Sequence, residues 1–241
     1  MKYSSDIKTS IMNYVLKDKK AIEAKVVFMR VKPQNRRQLR AEIYTKLSNL
    51  SWVASLDSYL QESFKIRAEK TLEAIDEEIQ KSSSLEGIDE ITSNAAEYIV
   101  SVLANEAVVK ELGYREIPLP EIFKHQKSQN PGFDFYAINA NDVLLFGEAK
   151  FAAGTNAYGR ALEQIVRFVD EKNDIADLAD LVVLVRKEIL DKVISGEKGY
   201  MGAFSSTNIE TNKLVKNIQN NNHYNLAKSH SELVLIAVDF L

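Results

Sequence analysis

A chain of 241 residues, 45% hydrophobic and 27% charged, is long enough for one well-buried core with room for an appended subdomain. It has no cysteine, which excludes disulfides, thiolate zinc sites, iron–sulfur clusters and cysteine nucleophiles, and suits a cytoplasmic setting. The net charge of −3 is uneven: Lys17, Lys19, Lys20, Lys25, Arg30, Lys32, Arg36, Arg37 and Arg40 face only Asp18 and Glu23, so residues 17–40 carry +7 and the remainder −10. Such a patch attracts polyanions, or is simply a solvated face. No long apolar run follows Met1, and the longest apolar stretches are strand-sized, so neither a secretory signal nor a membrane span is expected.

In chain order, Lys25 to Val31 reads as a strand, and residues 35–49 and 53–80 read as helices. Leu56, Tyr59, Leu60, Phe64, Ile66, Leu72 and Ile75 keep approximate helical spacing. Lys81-Ser82-Ser83-Ser84, with Gly87 soon after, reads as a linker. Residues 1–85 are therefore expected to form an α-rich, basic N-terminal region, and residues 86–241 a second domain. Thr92 or Ser93 can cap a helix reaching about residue 111, ended by Gly113. Tyr114 to Leu119 is a short strand candidate between prolines. Phe133 to Ile138 and Val143 to Phe151 form a hairpin around Asn139-Ala140-Asn141-Asp142. A helix from Tyr158 to Glu171 precedes a strand over Leu181 to Val185, helical stretches at 186–195 and 208–220, and a last strand from Leu233 to Phe240. The order is α-β-β-β-α-β with additions, an α/β layer architecture.

The chemistry concentrates in the hairpin. Residues two apart on a strand share a face, so Glu148 and Lys150 project together. Asp134 joins them if a three-residue loop pairs Asn139 with Val143, or if a bulge intervenes; a two-residue loop would set Asp134 against Gly147. Two carboxylates suit Mg²⁺, or Mn²⁺ in its place, because Mg²⁺ takes oxygen ligands and keeps several waters. Asp134, Glu148 and the main-chain carbonyl of Ala149 are the candidate ligands. Lys150 is placed to orient a water and to stabilise a transition state rich in negative charge. The expected substrate is a phosphodiester.

Asp134 and Glu148-Ala149-Lys150, on apolar strands between a preceding helix and a glutamine-bearing helix, resemble the PD-(D/E)XK nuclease superfamily over about residues 92–186. Phe133 stands where the name-giving pattern has proline. The resemblance implies a restriction-endonuclease-like α-β-β-β-α-β core and Mg²⁺-dependent hydrolysis of DNA. It adds Glu97, on the preceding helix, to the metal site. It also adds Gln164 to the catalytic set of Asp134, Glu148 and Lys150, through a Gln-x-x-x-Tyr motif in which Phe168 replaces tyrosine. Within the superfamily, Phe146 to Phe151 after Gly132-Phe133-Asp134 is most similar to the HamA-type nucleases of the Hachiman anti-phage defence system. That likeness implies a helicase partner and action on phage or damaged DNA.

Lys124, Lys127, Arg160 and Arg167 flank the site in sequence, as DNA phosphate contacts or as ordinary surface residues. His125 reads as loop, and His223 and His230 as surface. Gly147 and Gly154 lack nucleotide-loop spacing, so motor activity would come from another protein. Two rivals remain: an inactive nuclease-fold subunit that binds nucleic acid or a helicase partner, and an interaction protein recruiting a partner through its N-terminal helices.

Overall fold

The computed structural model describes residues 12–83, 93–123, 132–153, 155–207 and 209–239. Its frame is a seven-stranded mixed sheet in the order β1-β2-β7-β6-β5-β4-β3. β1 (Tyr14–Glu23) and β2 (Val26–Pro33) pair antiparallel, and β2 runs parallel to β7 (Leu233–Asp239). β7 lies parallel to β6 (Gly199–Ser206), and β6 to β5 (Leu144–Lys150). β4 (Phe135–Ile138) and the short β3 (Arg115–Glu116) complete the far edge antiparallel. Around the sheet stand α1 (Arg36–Leu47), α2 (Ser58–Ser83), α3 (Ser93–Leu112), α4 (Pro120–Phe123) and α5 (Tyr158–Asp170). α6 (Asn173–Ala176), α7 (Leu178–Leu181), α8 (Lys187–Ile194), α9 (Thr211–Gln219) and α10 (Tyr224–Ala227) follow. The mixed α/β class expected from the sequence holds.

The central strands are buried on both faces. Every residue of β6 is buried, as are Leu233 to Val238 of β7. Parallel strands covered on both sides read as unbroken runs rather than alternating ones. Burying side chains such as Phe28, Phe146 and Phe204 stabilises the fold by about 1.5–3 kcal/mol each. Both α3 and α5 pack against β5, the strand that carries the Glu-Ala-Lys triplet.

Three expectations need correction, and two strands went unread. The N-terminal third contributes β1 and β2 to the common sheet besides its helices, so the region read as α-rich supplies two strands. β1 escaped notice because it is an edge strand bearing Lys17, Asp18, Lys19 and Lys20, the charged composition that protects an edge from further pairing. Lys81 to Ser83, read as linker, continue α2; Ser84 and Gly87 lie outside the described residues. The strand expected over Leu181 to Val185 does not form. Leu181 ends α7, and the N–H groups of Leu184 and Val185 both donate to the Leu181 carbonyl. Burial there recurs at Asp174, Asp177, Leu181 and Val185, a helical period. The strand that runs beside β5 is instead β6, whose glycines and serines concealed it.

The two β6 glycines differ in their surroundings. A Cβ on Gly199 would stand 2.9 Å from both the Glu232 carbonyl oxygen and Leu145 Cγ. One on Gly202 would meet Leu235 Cδ2 at 3.4 Å and Ile165 Cδ1 of α5 at 3.6 Å, ordinary packing distances, so only Gly199 is required by its surroundings.

Candidate active site

The geometry begins at the β4–β5 loop. The Asn139 N–H donates to the Val143 carbonyl (3.0 Å), leaving Ala140, Asn141 and Asp142 as the loop. Asp142 closes it in the left-handed region at φ 57°, a conformation that aspartate tolerates better than most side chains. Asn139 Oδ1 accepts from the N–H groups of Asn141 (2.9 Å) and Val143 (3.0 Å). This is the three-residue loop that the chemical alignment requires. The ladder runs from Ile138 opposite Leu144 to Phe135 opposite Gly147. Asp134 lies one residue beyond the paired stretch, with its carboxyl beside that of Glu148.

The side chains follow that register. Asp134 Oδ2 accepts from the Ala149 N–H at 2.8 Å, and the Asp134 N–H donates to the Gly147 carbonyl at 2.8 Å. Glu148 is fully buried. Lys150 Nζ stands 2.6 Å from Glu148 Oε1, an ion pair by distance. Even so, neither Glu148 oxygen has a hydrogen-bond partner of acceptable angle among the described residues. Lys150 also lies 3.6 Å from Glu97 Oε2, and Glu97 Oε1 accepts from the Phe151 N–H at 3.3 Å. Glu97 thus reaches from α3 to the carboxyl end of β5, the end of a parallel strand where ligands gather in open α/β sheets.

The electrostatics match this crowding. Burial, and then the charge of Asp134, push the Glu148 carboxyl well above the usual carboxylate range. Burial likewise raises Asp134, against the opposing pull of Lys150 and the Ala149 N–H. Burial alone would depress Lys150, but the charges of Glu148, Asp134 and Glu97 prevail and raise it. Two buried carboxylates whose charged forms burial disfavours are a place where a cation is electrostatically favoured.

The donors fit a hard divalent cation on one further ground. A buried charge normally collects several hydrogen bonds, and Glu148, paired with Lys150 and pressed against a second carboxylate, falls short of them in a way that an ion would resolve. Among the described residues no three or more histidine and acidic side chains converge as a metal cage. Mg²⁺ does not need one, since it is commonly held by one or two carboxylates, waters and substrate phosphate.

Asp134, Glu148, Lys150 and Glu97 are therefore brought together, with Ala149 contributing its N–H to Asp134. Gln164 sits half-buried on α5 beside the inward stripe of Ala161, Leu162, Ile165 and Phe168. Among the described residues no hydrogen bond joins it to the carboxylates. Arg160 and Arg167 are exposed on α5, Arg167 lying 5.4 Å from the Phe168 ring centroid. Lys124, Lys127 and His125 lie outside the described residues. His230 is not a free surface residue: its ring meets Tyr200 edge-on at 4.6 Å, and burial, then Lys198, lower its pKa. His223 is half-buried as well, beside α10.

Sequence reasoning missed Asp177, a buried carboxylate between α6 and α7. Its Oδ2 accepts from the Phe133 N–H at 3.1 Å and from the Tyr136 hydroxyl at 2.6 Å. The available signal was Asp174, Asp177 and Leu181 at helical spacing, obscured by reading the apolar run after Asp180 as a strand. The chain matches no protein-family model, and no curated protein is similar to it.

Proposed function

We propose that this protein is a metal-dependent nuclease that hydrolyses DNA phosphodiester bonds, with Asp134, Glu148 and Lys150 as its catalytic core. The observation that carries the reading is the fully buried Glu148, pressed against a second carboxylate, Asp134, with Lys150 as its ion-pair partner. The element order α3-β3-β4-β5-α5-β6 supports a PD-(D/E)XK core. It agrees with that resemblance once β6 replaces the strand expected at 181–185.

Asp134 and Glu148 would hold the Mg²⁺ or Mn²⁺ ion, with Glu97 close enough to take part. Such an ion neutralises charge on the scissile phosphate and acidifies a bound water. Lys150, held between Glu148 and Glu97, would present its ammonium to the attacking water and to the oxygens that gain charge in the transition state. The Ala149 N–H fixes Asp134 in place for this task. A role in bacterial defence, with a helicase partner, is carried by the HamA-like motif alone.

The test is plasmid cleavage by wild type and by the double variant Glu148→Ala/Lys150→Ala, with Mg²⁺, with Mn²⁺ and with EDTA. Metal-dependent cutting that the variant lacks is expected. Equal activity of variant and wild type would overturn the assignment. The close Lys150–Glu148 pair is also what an inactive, purely structural cluster would show. Wild-type protein that binds Mn²⁺ nowhere and cuts no DNA, alone or with its helicase partner, would favour that second reading.

A further inference from the structure

We infer that Asp177 is a positioning residue for Asp134, a buried carboxylate that sets the metal-binding geometry without touching the metal. The inference rests on the metal-dependent reading above. Asp177 lies in the segment after α5, far along the chain from the hairpin, and is only 5% exposed. Its single Oδ2 atom holds the residue before Asp134 by its backbone, through the Phe133 N–H at 3.1 Å. The same atom holds the strand beyond Asp134 through the Tyr136 hydroxyl at 2.6 Å. Asp134 is thus pinned on both sides by one atom.

The regular ladder of β4 begins only at Phe135; Asp134 is held to β5 by its N–H on the Gly147 carbonyl and by the Ala149 N–H, and the chain that leads into it needs a restraint of its own. The Phe133 ring supplies part of it, 5.3 Å from the rings of both Phe146 and Phe168. The backbone bond to Asp177 supplies the direction. Phe133 is also the position where the nuclease pattern has proline, and proline has no N–H to donate. Here the departure from the pattern is put to use. Partners that orient a metal ligand from outside its first contacts typically change metal affinity by about 10–100-fold when removed.

Asp174 provides an internal control. It is also buried and three positions earlier, but it accepts from the Tyr200 hydroxyl (2.7 Å) and pairs with Lys198, and it reaches Phe133 only through the packing of the Tyr200 ring at 5.9 Å rather than through a bond to the backbone. The experiment follows Mn²⁺ binding to the full chain through the electron paramagnetic resonance signal of the free ion, alongside thermal melts and plasmid cleavage. Asp177→Ala is expected to weaken Mn²⁺ binding about tenfold or more and to lower kcat with KM for DNA little changed. Asp177→Asn, whose side-chain carbonyl can accept both bonds, is expected to restore Mn²⁺ binding to within about threefold of wild type. Asp174→Ala should lower the melting temperature and leave the Mn²⁺ midpoint where it was.

Folded Asp177→Ala with a wild-type Mn²⁺ midpoint would overturn the proposal. So would equal weakening in Asp174→Ala, since that is general loosening. If Asp177→Ala does not fold, Tyr136→Phe removes one of the two bonds alone; a weaker Mn²⁺ midpoint supports the proposal and an unchanged one overturns it. Wild type that binds no Mn²⁺ would bring down the metal reading, and the positioning role with it. Wild-type binding that Glu148→Gln abolishes and Asp177→Ala leaves intact would bring down the positioning role alone.

Discussion

Glu148 enters the sheet with its carboxylate shut off from water, beside a second acid and a single lysine. Because burial and Asp134 raise its folded pKa above the ordinary 4.5, the native state binds this proton more tightly than the unfolded chain does. Stability from this group is therefore fully present below the ordinary value and is lost as pH rises from there through the folded pKa. The metal-free protein should show a falling component of Tm over that window, and Glu148→Gln should remove it while abolishing cleavage. Melts of both proteins across the pH range, in EDTA, check this; identical slopes would contradict it. Beside it, Gly147 has no room for a side chain, since a Cβ there would stand 2.5 Å from the Phe135 ring. Gly147→Ala should cost about 1–3 kcal/mol in chemical denaturation, and combining it with Phe135→Leu should recover part of that loss. The residues of the site were legible because their chemistry is carried by type and spacing. Asp177 was not, since the helical spacing of Asp174, Asp177 and Leu181 marks an inward face without saying which distant backbone N–H it meets.

Among the elements, the hairpin was the most legible. Two apolar runs around a polar turn admit few registers, and the demand that Asp134 meet Glu148 selected the loop that is found. Asp142 gives a test of that loop. It pairs with Arg115 and, at 2.8 Å, with Arg186, all on the surface, while its φ of 57° favours glycine. Exposed pairs contribute about 0–1 kcal/mol and left-handed strain costs about 1–2, so the two nearly cancel in Asp142→Gly. We expect its unfolding free energy within about 0.5 kcal/mol of wild type and its cleavage unchanged. Asp142→Val, which keeps the strain and loses the pairs, should be clearly destabilised. β6 and the segment at 181–185 were illegible for one shared reason. A short apolar run fits a strand or a buried helical turn equally well, and only the neighbours decide. Val182 and Val183 look like strand residues until Asp174 and Asp177 anchor the turns before them to Tyr200 and Tyr136.

Across the whole molecule, the basic N-terminal stretch divides by role. Arg30 is buried, holds both oxygens of Asp239 at 2.9–3.0 Å and donates to the Thr207 and Ile209 carbonyls. It is a clasp between β2, β7 and the start of α9, and is not available to a polyanion. Arg30→Ala should destabilise by about 3–5 kcal/mol, as loss of one partner of a buried pair does, whereas Lys17→Ala, on the exposed edge strand, should change Tm little. Denaturant titration of the two variants separates these roles. No helix among the described residues is long and apolar enough to cross a membrane. The pairing that Arg30 clasps could not be read from the sequence, because nothing local in either strand records a partner two hundred residues away: Val26 meets Leu233. That pairing also sets an order of events during synthesis. β2 leaves the ribosome early and must wait, its apolar residues uncovered on that side, until β7 has emerged about two hundred residues later. Proteins built on such distant pairings fold slowly. A chain stalled before Leu233 should keep β2 open to protease or chaperone, and completing β7 should protect both strands at once.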